Sequence, residues 1–109
     1  MKLPDDSIIS PEKITEYLLK WQPDNDKSQF LARAGYSSDN WQRLLEDIRT
    51  QILPIEAELM RKTAYGDLFR IRGTLLGPNG VSIRVINVWM AEYASLQTKF
   101  ITLFPDKEG

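Results

Sequence analysis

Residues 69–89 read FRIRGTLLGPNGVSIRVINVW, and this stretch decides the fold class. Apolar and polar residues alternate on both sides of Gly77-Pro78-Asn79-Gly80, which is the pattern of half-buried β-strands. Gly-Pro and Asn-Gly favour a tight turn, so the stretch predicts an antiparallel hairpin. A third run of strand-forming residues, 98–104, ends at Pro105. Together the three runs predict an antiparallel meander.

The residues before the hairpin follow a helical period instead. Ser10-Pro11-Glu12 predicts a helix start, and an apolar stripe of four residues at helical spacing follows it: Ile14, Tyr17, Leu18 and Trp21. A second helix is expected from about Asp26, and a third from Ser38 to the Leu53-Pro54 break. The predicted class is α+β, with N-terminal helices packed on a three- to four-stranded antiparallel meander sheet. We expect a single domain over residues 1–109, with its helical part at about 10–53 and its sheet part at about 67–105.

Closing the hairpin with Leu76 opposite Val81 predicts which residues share a face of the sheet. On that register an apolar face, interrupted by Ser82 and Arg84, packs on the helices; it consists of Phe69, Ile71, Leu75, Ile86, Val88 and Met90. Trp21 and Trp41 are expected in the same core. The opposite face carries the candidate binding residues Arg70, Arg72, Asn87 and Trp89, and Lys99 of the third strand is expected to join them. A slip of one residue would exchange the faces.

The sheet part carries most of the positive charge. Residues 68–104 hold Arg70, Arg72, Arg84 and Lys99 against Glu92 alone, although the whole chain has a net charge of −1. Arginine offers paired donors to phosphate and tryptophan offers a stacking plane, so this face is a candidate RNA-binding surface. The alternative is the solvated side of an ordinary one-sided sheet, with Trp89 covered by a neighbouring segment or a second chain. Arg33, on a helix, is expected to take no part.

Missing residue types exclude whole classes of chemistry. The chain contains no cysteine and no histidine, which excludes disulfides, thiolate zinc sites, histidine-ligated metals and imidazole bases. No acidic cluster has the spacing of a calcium loop, so no metal and no cofactor is predicted. The apolar runs are too short to span a membrane, and the acidic residues within the first twenty positions are untypical of a signal peptide. We therefore expect a cytoplasmic protein that does not engage membranes.

Three segments together resemble a family of small, uncharacterised bacterial domains found in toxin-type loci. The first is Leu3-Pro4 with the Ser10–Leu19 helix; the second holds Lys27-Ser28, Phe30 and Gly35-Tyr36. The third joins the GPNG turn to Val85–Trp89 and Ile101–Pro105. The order of helices and strands is similar to the ribonuclease superfold of barnase, EndoU, colicins and RelE-type toxins. The resemblance implies RNA as ligand and points to five residues: Lys27, Arg70, Arg72, Arg84 and Thr102.

Two functions remain open. In the first, RNA is cleaved without histidine: Lys27 acts as base or phosphate ligand, Arg70 and Arg72 bind phosphate, Thr102 positions the substrate and Trp89 stacks on a base. Thr102 falls on the core face in the register above, which conflicts with this role. The alternative for Lys27, and the one its residue type favours, is an exposed lysine of no consequence. The alternative is a non-catalytic protein-binding or self-associating module of a toxin–antitoxin-like gene pair. A pI of about 5.4 and an exposed edge strand favour it. The expected partners are RNA or a small protein encoded nearby.

Overall fold

Helical segments occupy the first half of the chain, and strands occupy the second half. The computed structural model describes residues 1–24 and 26–107, so residues 108–109 of the predicted domain lie outside the described part. The helical segments are a first π-helix (Lys13–Leu18), α1 (Ser28–Ala32), a 3₁₀ turn (Ser38–Asn40), α2 (Trp41–Asp47) and a second π-helix (Ile48–Ile52). The strands are β1 (Glu58–Lys62), β2 (Gly66–Leu76), β3 (Ser82–Glu92) and β4 (Thr98–Pro105). The predicted α+β class is confirmed.

The strands form one antiparallel sheet in the order β1-β2-β3-β4, which is the predicted meander. Strand β1 begins at Glu58, ahead of the predicted sheet part. Residues 55–59 alternate in a way that favours a strand, but Ala, Glu and Leu are helix-forming residues, so the local sequence is ambiguous. Pairing with β2 settles that conflict, since Leu59 lies opposite Phe69. All five residues of β1 are exposed, so the sheet has an open edge there.

The core lies between the helices and one face of the sheet. Phe69, Ile71 and Leu75 of β2 are buried in it, as the alternation predicts. Trp21 is 62% exposed, contrary to expectation, and Trp41 is only half-buried. The first π-helix ends at Leu18, so Trp21 lies beyond it and does not continue the stripe that buries Ile14 and Leu18.

The β2–β3 hairpin differs from the predicted register by one residue. Leu76 pairs with Ser82, not Val81, and Gly77 N–H donates to Val81 O at 3.0 Å. The loop is therefore the three residues Pro78-Asn79-Gly80, with Gly80 at φ +84°, in the left-handed region that such loops require of their last residue. The predicted loop was one residue longer. The consequence is that β3 presents the opposite face to the helices.

The corrected register redistributes the candidate residues. Asn87 and Trp89 join the core face, opposite Ile71 and Phe69, and Arg84 moves to the outer face, opposite Thr74. The face away from the helices, here called the outer face, also carries Arg70 and Arg72 together with three residues expected in the core: Ile86, Val88 and Met90. Val88 is nevertheless only 8% exposed, because it lies in the middle of the sheet with strands on both sides.

The hairpin loop is fixed by its contact with the end of α1. Asn79 Nδ2 donates to Arg33 O at 3.1 Å, which satisfies a carbonyl at the helix end. Gly77 lies so close to Ala34 that a Cβ added there would be 1.9 Å from the Ala34 carbonyl oxygen. The GPNG segment is thus a docking element between the helices and the sheet as well as a turn.

The N-terminal segment lies along the free edge of β4. Ile8 N–H donates to Thr98 O, and Phe100 N–H donates to Ile8 O, both at 2.8 Å. This bridge brings the first π-helix beside β4 and Tyr17 within reach of Thr102. No helix in the described part of the chain is both long enough and apolar enough to cross a membrane.

Candidate functional site

Lys27 lies at the N-cap of α1 and is directed at an aromatic ring of the first π-helix. Its Nζ donates a hydrogen bond to the Tyr17 hydroxyl at 2.6 Å and lies 4.7 Å from the centre of the same ring. A second cation, Lys13, lies 5.4 Å from that ring centre. Two ammonium groups therefore face one phenol.

Thr102 completes this group from the far end of the chain. Its Oγ1 lies 3.1 Å from the Tyr17 hydroxyl oxygen. A bulge in β4 at Ile101 changes the pairing with β3, so Thr102 lies opposite Val88 on the outer face and not on the core face expected for it. Lys27, Tyr17 and Thr102, here called the phenol cluster, come from three separate segments.

Opposing effects set the acidity of the Tyr17 phenol. Burial alone raises its pKa, because a phenolate is poorly solvated there. The hydrogen bonds from Lys27 and Thr102 and the positive charges of Lys27 and Lys13 together outweigh burial, so the net pKa of Tyr17 lies below the ordinary tyrosine value. The phenolate of Tyr17 therefore forms at a lower pH than that of an ordinary tyrosine.

The phenol cluster opens into a cleft of about 560 Å³. Besides Tyr17 and Lys27, the cleft is lined by Gln22, Asp24, Asp26, Phe104, Pro105 and Lys107. Asp26 holds the loop before α1 in place, because its carboxylate accepts hydrogen bonds from the backbone N–H groups of Gln22, Ser28 and Gln29. Phe104 is 36% exposed and gives the cleft one aromatic wall. In residues 1–24 and 26–107, no three metal-ligating side chains cluster closely enough to hold an ion.

The predicted arginine pair lies on the outer face, and both members are in ion pairs. Arg70 binds Glu58 of β1 through two nitrogens at 3.1 Å, and Arg72 lies 3.4 Å from Asp106. Arg70 shares a row of the sheet with Val88 and Thr102, so its Cα lies about 10 Å, two strand spacings, from that of Thr102. Arg70 therefore lies in the same row of the sheet as Thr102, two strands away from it.

The comparisons with known proteins give one match. A family model described as a domain of unknown function, DUF6883, matches residues 2–107, almost the whole described part. The chain belongs to the DUF6883 family. Comparison with curated proteins and with solved structures finds no match. The family description names no activity, so the uncharacterised-domain part of the resemblance is confirmed, while its toxin and ribonuclease parts stay predictions.

Two predicted binding residues of this DUF6883 domain belong to its core. Asn87 and Trp89 are each 0% exposed, so the prediction that they line the outer surface is wrong. Trp89 packs edge-to-face on Phe100, with ring centres 5.2 Å apart. Their burial follows from the register, because both lie on the β3 face that packs against the helices. Neither residue is available to contact RNA.

Arg84 and Lys99 do lie on the outer face of the DUF6883 domain. Lys99 pairs with Glu92 at 3.1 Å, away from the hairpin end. Arg84 is exposed near the hairpin and was expected on the core side. Tyr17 is the residue that sequence reasoning missed, since its spacing with Ile14 and Leu18 is typical of a core stripe. Only the position of its hydroxyl beside Lys27 distinguishes it from a packing residue.

Proposed function

We propose that this DUF6883 domain cleaves single-stranded RNA without histidine, using the phenol cluster. One observation supports the proposal above all others. Lys27 and Thr102, two residues that the resemblance implies to be catalytic, lie 75 positions apart in the chain yet contact the same phenol. Because that phenol has a lowered pKa, the cluster supplies the acid–base group that a chain without histidine otherwise lacks.

The chemistry requires a base for the ribose 2′-hydroxyl, an acid for the leaving oxygen and positive charge near the phosphorus. Tyr17, as phenolate, takes the 2′-hydroxyl proton while the 2′-oxygen forms a bond to phosphorus. The bond from phosphorus to the 5′-oxygen breaks, and Lys27 donates a proton to that oxygen. The products are a 2′,3′-cyclic phosphate and a free 5′-hydroxyl.

The hydrogen bond between Lys27 and Tyr17 then resets the site. After one turnover Tyr17 is a neutral phenol and Lys27 a neutral amine. Transfer of the phenolic proton across their 2.6 Å hydrogen bond restores both starting forms, so no proton is consumed. Thr102 Oγ1, 3.1 Å from the same phenol oxygen, fixes the orientation of the ring. Arg70 and Arg72 act by exchanging their carboxylate partners for backbone phosphates.

Cleavage of an end-labelled, unstructured RNA tests the proposal. Lys27→Met, Tyr17→Phe and Thr102→Val each remove one polar group with little change of volume. The first two should lower kcat by roughly a hundred- to ten-thousandfold, the usual effect of removing a general acid or base. The matched control is Lys20→Met, since Lys20 is exposed and forms an ion pair with Glu16 at 3.8 Å, away from the phenol cluster. Circular dichroism and thermal melts check that each variant is folded.

Two outcomes would refute the proposal. One is wild-type protein that leaves RNA intact at low ionic strength. The other is cleavage that Lys27→Met does not affect, which is the behaviour of a contaminating nuclease. A substrate with a 2′-deoxyribose at the cleavage position must also stay intact, because the nucleophile is then missing.

The open edge of the sheet favours a second candidate, self-association through β1. Leu59 and Met60 are 52% and 45% exposed on this edge strand, and exposed edges are templates for strand pairing. Sedimentation of the wild type should then show a dimer, and the double change Leu59→Lys with Met60→Lys should return it to a monomer. A wild type that stays monomeric at high concentration excludes this candidate.

A further inference from the structure

A second cleft, of about 530 Å³, lies where β4 ends. Pro105, the last residue of β4, pairs with Val85, so residues 82–84 of β3 continue beyond the end of their neighbouring strand. The end of α1 closes the space beside them. The cleft is lined by Phe30, Arg33, Ser82, Ile83, Arg84, Pro105, Asp106 and Lys107.

The charge in this second cleft is unbalanced. Arg33, Arg84 and Lys107 all line it, and within the described residues none of the three has an ion-pair partner. Asp106 is the one acidic residue of the lining, and its carboxylate lies 3.4 Å from Arg72 on the outer face. Three cations that share a small space repel one another, and a bound anion relieves that repulsion.

The two clefts adjoin at the end of β4. Pro105 and Lys107 line both of them. Helix α1 also connects the two clefts. Lys27, the residue before the helix, lines the first cleft, and Arg33, the residue after it, lines the second. Arg33 is six positions after Lys27, which corresponds to about 9 Å along a helix axis. An extended polyanion can therefore contact both clefts at once.

We infer that Arg33, Arg84 and Lys107 bind backbone phosphates of the RNA strand next to the phosphate held at the phenol cluster. Guanidinium groups favour this assignment because their planar pairs of donors match phosphate oxygens. The identity of the polyanion rests on the proposed function, whereas the binding of an anion rests on this cleft alone. Arg33, expected from the sequence to take no part, becomes a principal contact.

The double variant Arg33→Gln with Arg84→Gln tests this inference. Its affinity for a fluorescent oligouridylate should fall roughly tenfold or more, since the variant loses two charge-assisted hydrogen-bond donors to phosphate. The log–log dependence of affinity on salt should become shallower by about 0.7 for each phosphate that the variant no longer neutralises. In cleavage assays KM should rise while kcat stays within about twofold, because neither residue touches the phenol cluster.

The matched control is Arg61→Gln with Lys62→Gln. These two residues are exposed cations at the opposite edge of the sheet, in β1, and neither has an ion-pair partner among residues 1–24 and 26–107. The control removes the same net charge and should leave both affinity and salt dependence close to those of the wild type. Equal losses in the two double variants would overturn the inference, since they would reflect net charge and not a site.

A smaller probe separates this inference from the proposed function. Inorganic pyrophosphate, followed through the Nε–H NMR signals of Arg33 and Arg84, should shift both signals in the wild type. RNA that binds the double variant as tightly as the wild type would overturn the inference and leave the cleavage proposal intact. If RNA is neither bound nor cleaved but pyrophosphate shifts both signals, the proposed function fails and the anion site stands. Hexaglutamate binding more tightly than oligouridylate would overturn the assignment to RNA.

Discussion

Asn87 is the position where a single substitution should make this domain more stable. Its side chain is completely buried on the core face of β3, between Ile71 of β2 and Leu103 of β4. Neither Oδ1 nor Nδ2 has a hydrogen-bond partner among the described residues. Replacing it with leucine keeps the approximate size of the side chain and removes both unpaired polar atoms.

The expected gain follows from the cost of burying polar groups without partners. Each such group costs about 1–3 kcal/mol, and an apolar side chain of similar shape does not incur this cost. Overpacking by the bulkier methyl groups of leucine offsets part of the gain. We expect Asn87→Leu to raise the free energy of unfolding by about 1–3 kcal/mol. For a domain of this size that corresponds to a Tm increase of roughly 4 °C or more.

Urea denaturation and calorimetry of the purified domain measure this change. Asn87→Asp is the informative comparison, because it has the same shape and places a carboxyl in the core, so it should lower stability. RNA cleavage by Asn87→Leu should equal that of the wild type, since the residue lies away from the phenol cluster. A leucine variant less stable than the parent by more than about 1 kcal/mol would refute the reasoning, because the amide must then have a partner.

Three further predictions concern the hairpin loop, the buried tryptophan and the ionisation of Tyr17. Gly77→Ala should destabilise the domain by about 1–3 kcal/mol or more in urea melts, because the added Cβ would lie 1.9 Å from the carbonyl oxygen of Ala34. Unchanged stability would mean that the turn does not dock on α1. Trp89→Ala should cost about 3–5 kcal/mol as a fully buried aromatic, and a loss below about 1 kcal/mol would place it at the surface. Ultraviolet titration should show one phenolate forming below the ordinary tyrosine pKa of about 10. Tyr17→Phe should remove this early ionisation, and Lys27→Met should move it to higher pH. Burial and Asp47 raise the pKa of Tyr36, so its phenolate forms only at higher pH.

The lowered pKa of Tyr17 also sets the sign of a pH effect on stability. A phenol whose folded pKa is depressed contributes stability above its unfolded pKa, about 10 for tyrosine, and loses it as the pH falls through the folded value. The contribution of this ionisation to stability therefore decreases as the pH is lowered.

The fold class could be predicted because its signals are local. Alternation in β2 and β3 and the GPNG turn lie within 24 consecutive residues, 67–90, and each reports directly on backbone conformation. The helical stripe of α2 and the Leu53-Pro54 break are equally local. The prediction that the first helical stripe extends to Trp21 was wrong because the helix ends at Leu18, before that residue.

Local sequence determined the class, the strand order and the position of the hairpin, whereas tertiary contacts decided which face each residue occupies. A loop of three residues or of four is compatible with the GPNG segment, and the choice depends on how Gly77 and Asn79 meet the end of α1, more than forty residues earlier in the chain. Because side chains alternate with period two, that one-residue difference buries Asn87 and Trp89 and exposes Arg84. The β4 bulge likewise turns Thr102 toward Tyr17. The phenol cluster is thus a product of long-range packing, which no local pattern encodes.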